Sequence, residues 1–135
     1  MADAEWKMPV PPTAITRGPN FKALPRRQCE LSFYIEVETG DKKESLLFDG
    51  VEAYKCTYLA ALNVEMINAT YGKLVDLGET EWLSEIVKVS TVYYTKSKKT
   101  PPSLKHFAIC FDDGPCFEIV CVNFNPLAPT SESQA

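Results

Sequence analysis

The chain reads as a single α+β domain. The expected architecture is a mainly antiparallel, curved or barrel-like sheet of about six strands, with one main helix and a second short helix inserted between strands 3 and 4. Three observations predict it. Residues 31–37 alternate, with Leu31, Phe33, Ile35 and Val37 against Ser32, Tyr34 and Glu36, the period of a half-buried strand. From Asn63 the apolar residues Val64, Ile67, Tyr71, Leu74 and Val75 fall at three- and four-residue steps, the period of a helix. In residues 104–124 two apolar runs flank Asp112-Asp113-Gly114-Pro115, a strong hairpin signal.

Size and composition set the frame. At 135 residues the chain fits one domain, and 45% hydrophobic with 24% charged residues is ordinary for a globular protein. Against 18 acids stand 14 basic residues, a net charge of −4, which lacks the basic footprint of a nucleic-acid binder. No apolar run is long enough for a membrane-spanning helix. The start, Met-Ala-Asp-Ala-Glu-Trp-Lys, does not read as a secretory leader, so a cytoplasmic location is expected. The five cysteines, Cys29, Cys56, Cys110, Cys116 and Cys121, are an odd set beside apolar runs, as expected of reduced thiols.

Residues 1–28 read as an extended arm, punctuated by Pro9, Pro11, Pro12, Pro19 and Pro25. Trp6, Met8, Val10 and Ile15 are placed to strap the body, and Arg17, Lys22, Arg26 and Arg27 make the arm locally basic. The folded domain is expected over residues 29–125. After the first strand and a polar turn, residues 45–48 return as a second strand, and residues 51–62 carry a third. The main helix is expected over residues 63–78, capped by Asn63 and Gly78, with Gly72 marking close packing. A short helix over residues 80–86 is capped by Thr80 and buries Trp82, Leu83 and Ile86. The β-branched and aromatic residues 87–95 then predict a strand. Residues 126–135 read as a disordered polar tail.

A turn centred on Asp113-Gly114 sets a register for the last hairpin. Phe111 then faces Cys116, Cys110 faces Phe117, Ile109 faces Glu118 and His106 faces Cys121. One face carries His106, Ala108, Cys110, Phe117, Ile119 and Cys121. The other carries Phe107, Ile109, Phe111, Cys116, Glu118, Val120 and Val122. Both are apolar, so the hairpin belongs at the centre of the sheet.

Candidate chemistry is sparse. His106 opposite Cys121 would let an imidazole take a thiol proton, and the plain alternative is a buried thiol beside a histidine. Glu118 interrupts an apolar strand, and a buried carboxylate must be paired or protonated. Asp112 and Asp113 are accounted for as turn residues. Tyr34, Tyr54, Tyr58 and Tyr93 are candidate ligand-binding residues, since tyrosine joins apolar area to a polar tip. No metal site is expected, because there is no Cys-x-x-Cys spacing and one histidine. No cofactor is expected, because no phosphate loop or hydrolase motif occurs.

These observations favour a non-catalytic binding or interaction module with a protein partner. One version is an acidic, inhibitor-like or immunity-like protein presenting Glu65, Asp76, Glu79, Glu81 and Glu85 on one face. The alternative is a small-ligand protein or enzyme using a cavity of the curved sheet, with a thiol enzyme as a third reading. No nucleic acid and no membrane is expected as a partner. A homodimer is an option if residues 45–48 or 87–95 form bare sheet edges.

Overall fold

A computed structural model describes residues 4–8, 15–37, 40–111 and 115–127. Among these residues the chain forms nine strands and two α-helices: β1 (Ala4–Lys7), β2 (Ile15–Leu24), β3 (Gln28–Val37), β4 (Gly40–Asp49), β5 (Ala53–Tyr58), α1 (Val64–Thr70), β6 (Lys73–Asp76), α2 (Glu81–Lys96), β7 (Lys105–Cys110), β8 (Pro115–Cys121) and β9 (Asn123–Leu127). The strands make two antiparallel sheets, one ordered β1-β6-β7-β8-β5 and one ordered β2-β3-β4-β9. The α+β class and the antiparallel pairing hold. The barrel-like single sheet does not: the described strands form two sheets, each with two open edges, and no barrel closes among them.

Alternation builds the layers. Cys29, Leu31, Phe33 and Ile35 of β3 and Leu46 and Phe48 of β4 face Phe107, Ile109, Phe111, Phe117, Ile119 and Cys121 across one buried core. Intervening residues of β3 face outward, where Glu30 pairs with Lys22 of β2 (4.0 Å), while Lys42 and Glu44 (3.6 Å apart) stand opposite Ile35 and Phe33 on the core-facing side at the start of β4. The five-stranded sheet is apolar on its second face too, and there the helices lie. His106, Ala108, Cys110, Cys116, Glu118 and Val120 are all buried on that side, under Thr70 of α1 and Leu83, Ser90 and Tyr94 of α2. The last hairpin is therefore the middle layer of a helix–sheet–sheet stack.

Several expectations change. Residues 1–28 are not simply an arm: β1 joins the first sheet at β6 and β2 pairs with β3. Trp6 meets Phe33 edge-on at 5.8 Å, so the strap is real at that end, while Val10 lies outside the described residues. Pro126 and Leu127 belong to β9 rather than to a tail, and residues 128–135 lie outside the described residues. The main helix stops at Thr70 because Gly72 turns the chain with φ 69°, and the apolar Leu74 and Val75 enter β6 instead. Asn63 does cap α1, its Oδ1 accepting the Met66 N–H at 2.7 Å.

The strand expected over residues 87–95 is helical. Thr80 Oγ1 accepts the Leu83 N–H (3.1 Å) and starts α2, while Leu83, Ser90 and Tyr94 supply a buried stripe. Packing along that stripe outweighs the modest helix penalty of β-branched residues. The helix closes with Lys98 at φ 57°, Lys98 N–H bonded to Thr95 O (3.1 Å) and Lys99 N–H to Tyr94 O (2.9 Å), a Schellman ending. Residues 45–48 are not an edge, since β4 lies between β3 and β9.

The candidate functional site at the seam between α2 and β5

The register of the last hairpin is displaced by one residue from the expected one. Cys110 faces Cys116, Ile109 faces Phe117, Ala108 faces Glu118, His106 faces Val120 and Lys105 faces Cys121. Phe111 N–H donates to Pro115 O (3.1 Å), so the paired positions flank Asp112, Asp113 and Gly114, which lie outside the described residues. One residue of slip exchanges the two faces. His106 and Cys121 therefore separate onto opposite faces, which removes the thiol–imidazole pair. Cys121 points into the core, where burial pushes its thiol up to about 12. A thiol so placed stays protonated near neutral pH and is a poor nucleophile.

The same slip brings His106 and Glu118 together. Their bond is 2.9 Å from Nε2 to Oε1, and Thr80 Oγ1 lies 2.7 Å from Nδ1. The hydrogen-bond pattern assigns the Nε2 proton. A carboxylate only accepts, so Nε2–H donates to Glu118, while the Thr80 hydroxyl accepts the Leu83 N–H and shares a second hydrogen bond with Nδ1. The other carboxylate oxygen lies 3.9 Å from Lys55 Nζ, which sits 4.3 Å from the centre of the Trp82 ring. Trp82 in turn meets His106 edge-on at 5.0 Å. One network thus ties the start of α2 to β5, β7 and β8.

Hydroxyl, imidazole and carboxylate in line have the order of an acyl-transfer triad. Here, however, the hydroxyl oxygen is the helix cap, and His106 is only 3% exposed. Neither cleft described below is lined by Thr80, His106 or Glu118. These contacts fasten the start of α2 to the sheet.

A second fastening closes the other end of α2. Tyr94 Oη donates to Glu52 Oε2 at 3.0 Å, and Arg27 bonds both Tyr94 Oη and Glu52. Arg27 reaches in from the β2–β3 turn, where Arg26 and Arg27 both adopt left-handed φ (64° and 60°).

Between the two fastenings α2 overhangs β5. Trp82, Ile86, Val89 and Tyr93 follow one another at four-, three- and four-residue steps, so they share the flank that faces Lys55 and Glu52. A cleft of about 370 Å³ opens there, lined by Glu52, Ile86, Val89, Ser90 and Tyr93. Its apolar wall is open to solvent: Val89 is 73% exposed, Tyr93 66%, and neighbouring Val92 54%. Ser90, only 8% exposed, lines the floor, and its Oγ has no hydrogen-bond partner among the described residues. Beside the cleft, β5 is paired only with β8 and has no second strand neighbour among the described residues. Across Glu52 a smaller cleft of about 290 Å³ lies on the sandwich side, lined by Leu24, Arg27, Cys29, Val51 and Tyr54 among others.

Of the candidate ligand residues, Tyr93 lines the larger cleft and Tyr54 the smaller. Tyr58 is exposed at the end of β5. Tyr34 is on β3 of the other sheet, facing away from the core, and does not join them. Of the acids expected to share a face, Glu65 and Glu81 stand in the first turns of different helices, and Asp76 accepts the Gly78 N–H at 2.9 Å. Sequence reasoning gives Arg27 only as part of a basic arm and Ile86 only as a buried helix residue, and misses Glu52 and Val89. The signal for the last was present, as valines at positions 87, 89 and 92 are too many for one buried helical stripe.

Comparison with family models, with curated proteins and with solved structures finds no match for this chain.

Proposed function

We propose that this protein is a non-catalytic binding module that takes an extended segment of a partner protein into the seam between α2 and β5. The observation that carries this reading is the open apolar cleft of about 370 Å³ beside a sheet edge. A six-residue edge strand offers backbone donors and acceptors over roughly 20 Å. A peptide added to it would gain main-chain hydrogen bonds from β5 and side-chain contacts from α2, the usual division of labour in strand addition. Alternate residues of such a peptide point toward the helix, so β-branched or aromatic residues at every second position suit Ile86, Val89 and Tyr93. The Ser90 hydroxyl offers one polar contact on the floor. A small apolar ligand in the Tyr54 cleft is the second reading, supported by its lining of Leu24, Val51 and Tyr54 beside Arg27; about 290 Å³ is near the lower limit for such sites.

Peptides selected from a random display library on the intact protein test this. Binders should carry alternating apolar residues and slow amide exchange in β5. Val89→Asp should weaken them at least tenfold without lowering the unfolding temperature, since Val89 is exposed. Failure to select any binder, or binders indifferent to Val89→Asp, would overturn the proposal. Binders displaced instead by Tyr54→Ala would favour the second cleft.

A further inference from the structure

The displaced hairpin register sets Cys110 directly opposite Cys116 on the helix-facing side of the sheet. Because Phe111 and Pro115 form the hydrogen-bonded pair next to them, Cys110 and Cys116 form a non-hydrogen-bonded pair. Cα atoms at such a pair are roughly 4.5 Å apart, within the span of roughly 4.4–6.8 Å that a disulfide bridges. Thr70 Oγ1 lies 3.1 Å from Cys110 Sγ, while its proton can also go to Met66 O at 2.7 Å. We infer that Cys110 and Cys116 form an oxidisable dithiol, closed to a cross-strand disulfide by peroxide, with α1 as its cover.

Thr70 distinguishes the two sulfurs, its Oγ1 lying 3.1 Å from Cys110 Sγ, where it can donate to a thiolate. The Cys116 S–H and the Thr70 O–H can both point at Cys110, which lowers the Cys110 thiol. Such a hydrogen bond to Cys110, with burial, raises Cys116. Cys110 is accordingly the attacking thiolate. Its thiol first gives its proton to solvent; the sulfur then takes one peroxide oxygen as the O–O bond breaks, giving a sulfenic acid and a hydroxide that recovers that proton and leaves as water. Cys116 sulfur then attacks Cys110 sulfur; the S–S bond forms, the S–O bond breaks, and the departing hydroxide takes the Cys116 proton as a second water. Two thiols are oxidised and one peroxide is reduced.

Both cysteines are fully buried, so the reaction needs an opening. The element above them is lightly anchored. α1 has seven residues and buries one side chain, Thr70. Short elements with few buried contacts open at low free-energy cost.

The test uses the intact chain, reduced, then exposed to hydrogen peroxide and followed by mass spectrometry after alkylation. The expected product has lost two hydrogens, maps to Cys110–Cys116, and returns to dithiol with a reductant. Cys116→Ser should stop at sulfenic acid on Cys110. Asn63→Ala, which removes the α1 cap, should speed closure about fivefold, while Asn63→Asp keeps the rate. Oxidation confined to the exposed Cys56, or a disulfide with another partner, would overturn the dithiol. Equal closure rates with and without the cap would overturn the role of α1.

Discussion

The Thr80–His106–Glu118 network illustrates how much rests on single atoms. Glu118 and His106 are each almost fully buried, and each is the other's partner. Removing one leaves a buried polar group unsatisfied, the costly direction for any hydrogen bond. His106→Ala should therefore cost about 2–3 kcal/mol in urea unfolding. Glu118→Gln keeps an acceptor for Nε2–H and should cost about 1 kcal/mol less than His106→Ala. A double-mutant cycle with coupling below about 0.5 kcal/mol would show that the 2.9 Å contact carries no weight. The cysteines give a second residue-scale expectation. Burial holds Cys121 protonated, with its thiol pushed up to about 12, so iodoacetamide at neutral pH should label exposed Cys56 well before Cys121. Early labelling of Cys121 would restore the thiol-enzyme reading.

Elements show where the sequence is legible and where it is not. Alternation in residues 31–37 and the Asn63 and Thr80 caps are local signals, and each reappears in β3, α1 and α2. What local reading lacks is the packing partner. Residues 87–95 have strand propensity, yet the sheet surface beneath them needs Leu83, Ser90 and Tyr94 on one helical stripe, and tertiary burial wins. The 63–78 helix fails at Gly72, where a positive φ ends the pattern that Leu74 and Val75 would otherwise continue. The hairpin was visible but its register was not, because one residue in the turn decides which face every side chain takes. The site followed the register: His106 and Glu118 were both singled out, but only the shifted pairing joins them. Two turns carry predictions. Lys98→Gly relieves a left-handed non-glycine residue in the Schellman ending of α2, and should stabilise by about 0.5–1 kcal/mol. Gly50→Ala does the opposite. A Cβ there would lie 2.5 Å from Val122 Cγ2 at φ 63°, and the short, branched valine cannot swing clear, so a loss of about 1–3 kcal/mol is expected. Thermal unfolding of the two variants decides both.

At the scale of the whole molecule, the layers grade stability from the centre outward. β7 and β8 are covered by the sandwich core on one face and by the helices on the other, and each has strand neighbours on both sides. β3 has strand neighbours on both sides and the core on one face. α1 and the four-residue β1 have neither advantage. α2 lies between these extremes, fastened at both ends but exposed along its cleft flank. Amide exchange should follow that order, slowest in β7, β8 and β3, intermediate in α2, and fastest in α1 and β1. The fastenings make a further demand. Because Glu118 and Thr80 hold only the start of α2 while Arg27, Glu52 and Tyr94 hold its end, Glu118→Ala should speed exchange in the first turns of α2 and leave the last turns near their original rate. Exchange that accelerates uniformly along α2 would mean that the helix opens as one unit, and that the cleft beside β5 is held by the stripe of Leu83, Ser90 and Tyr94 rather than by its two ends.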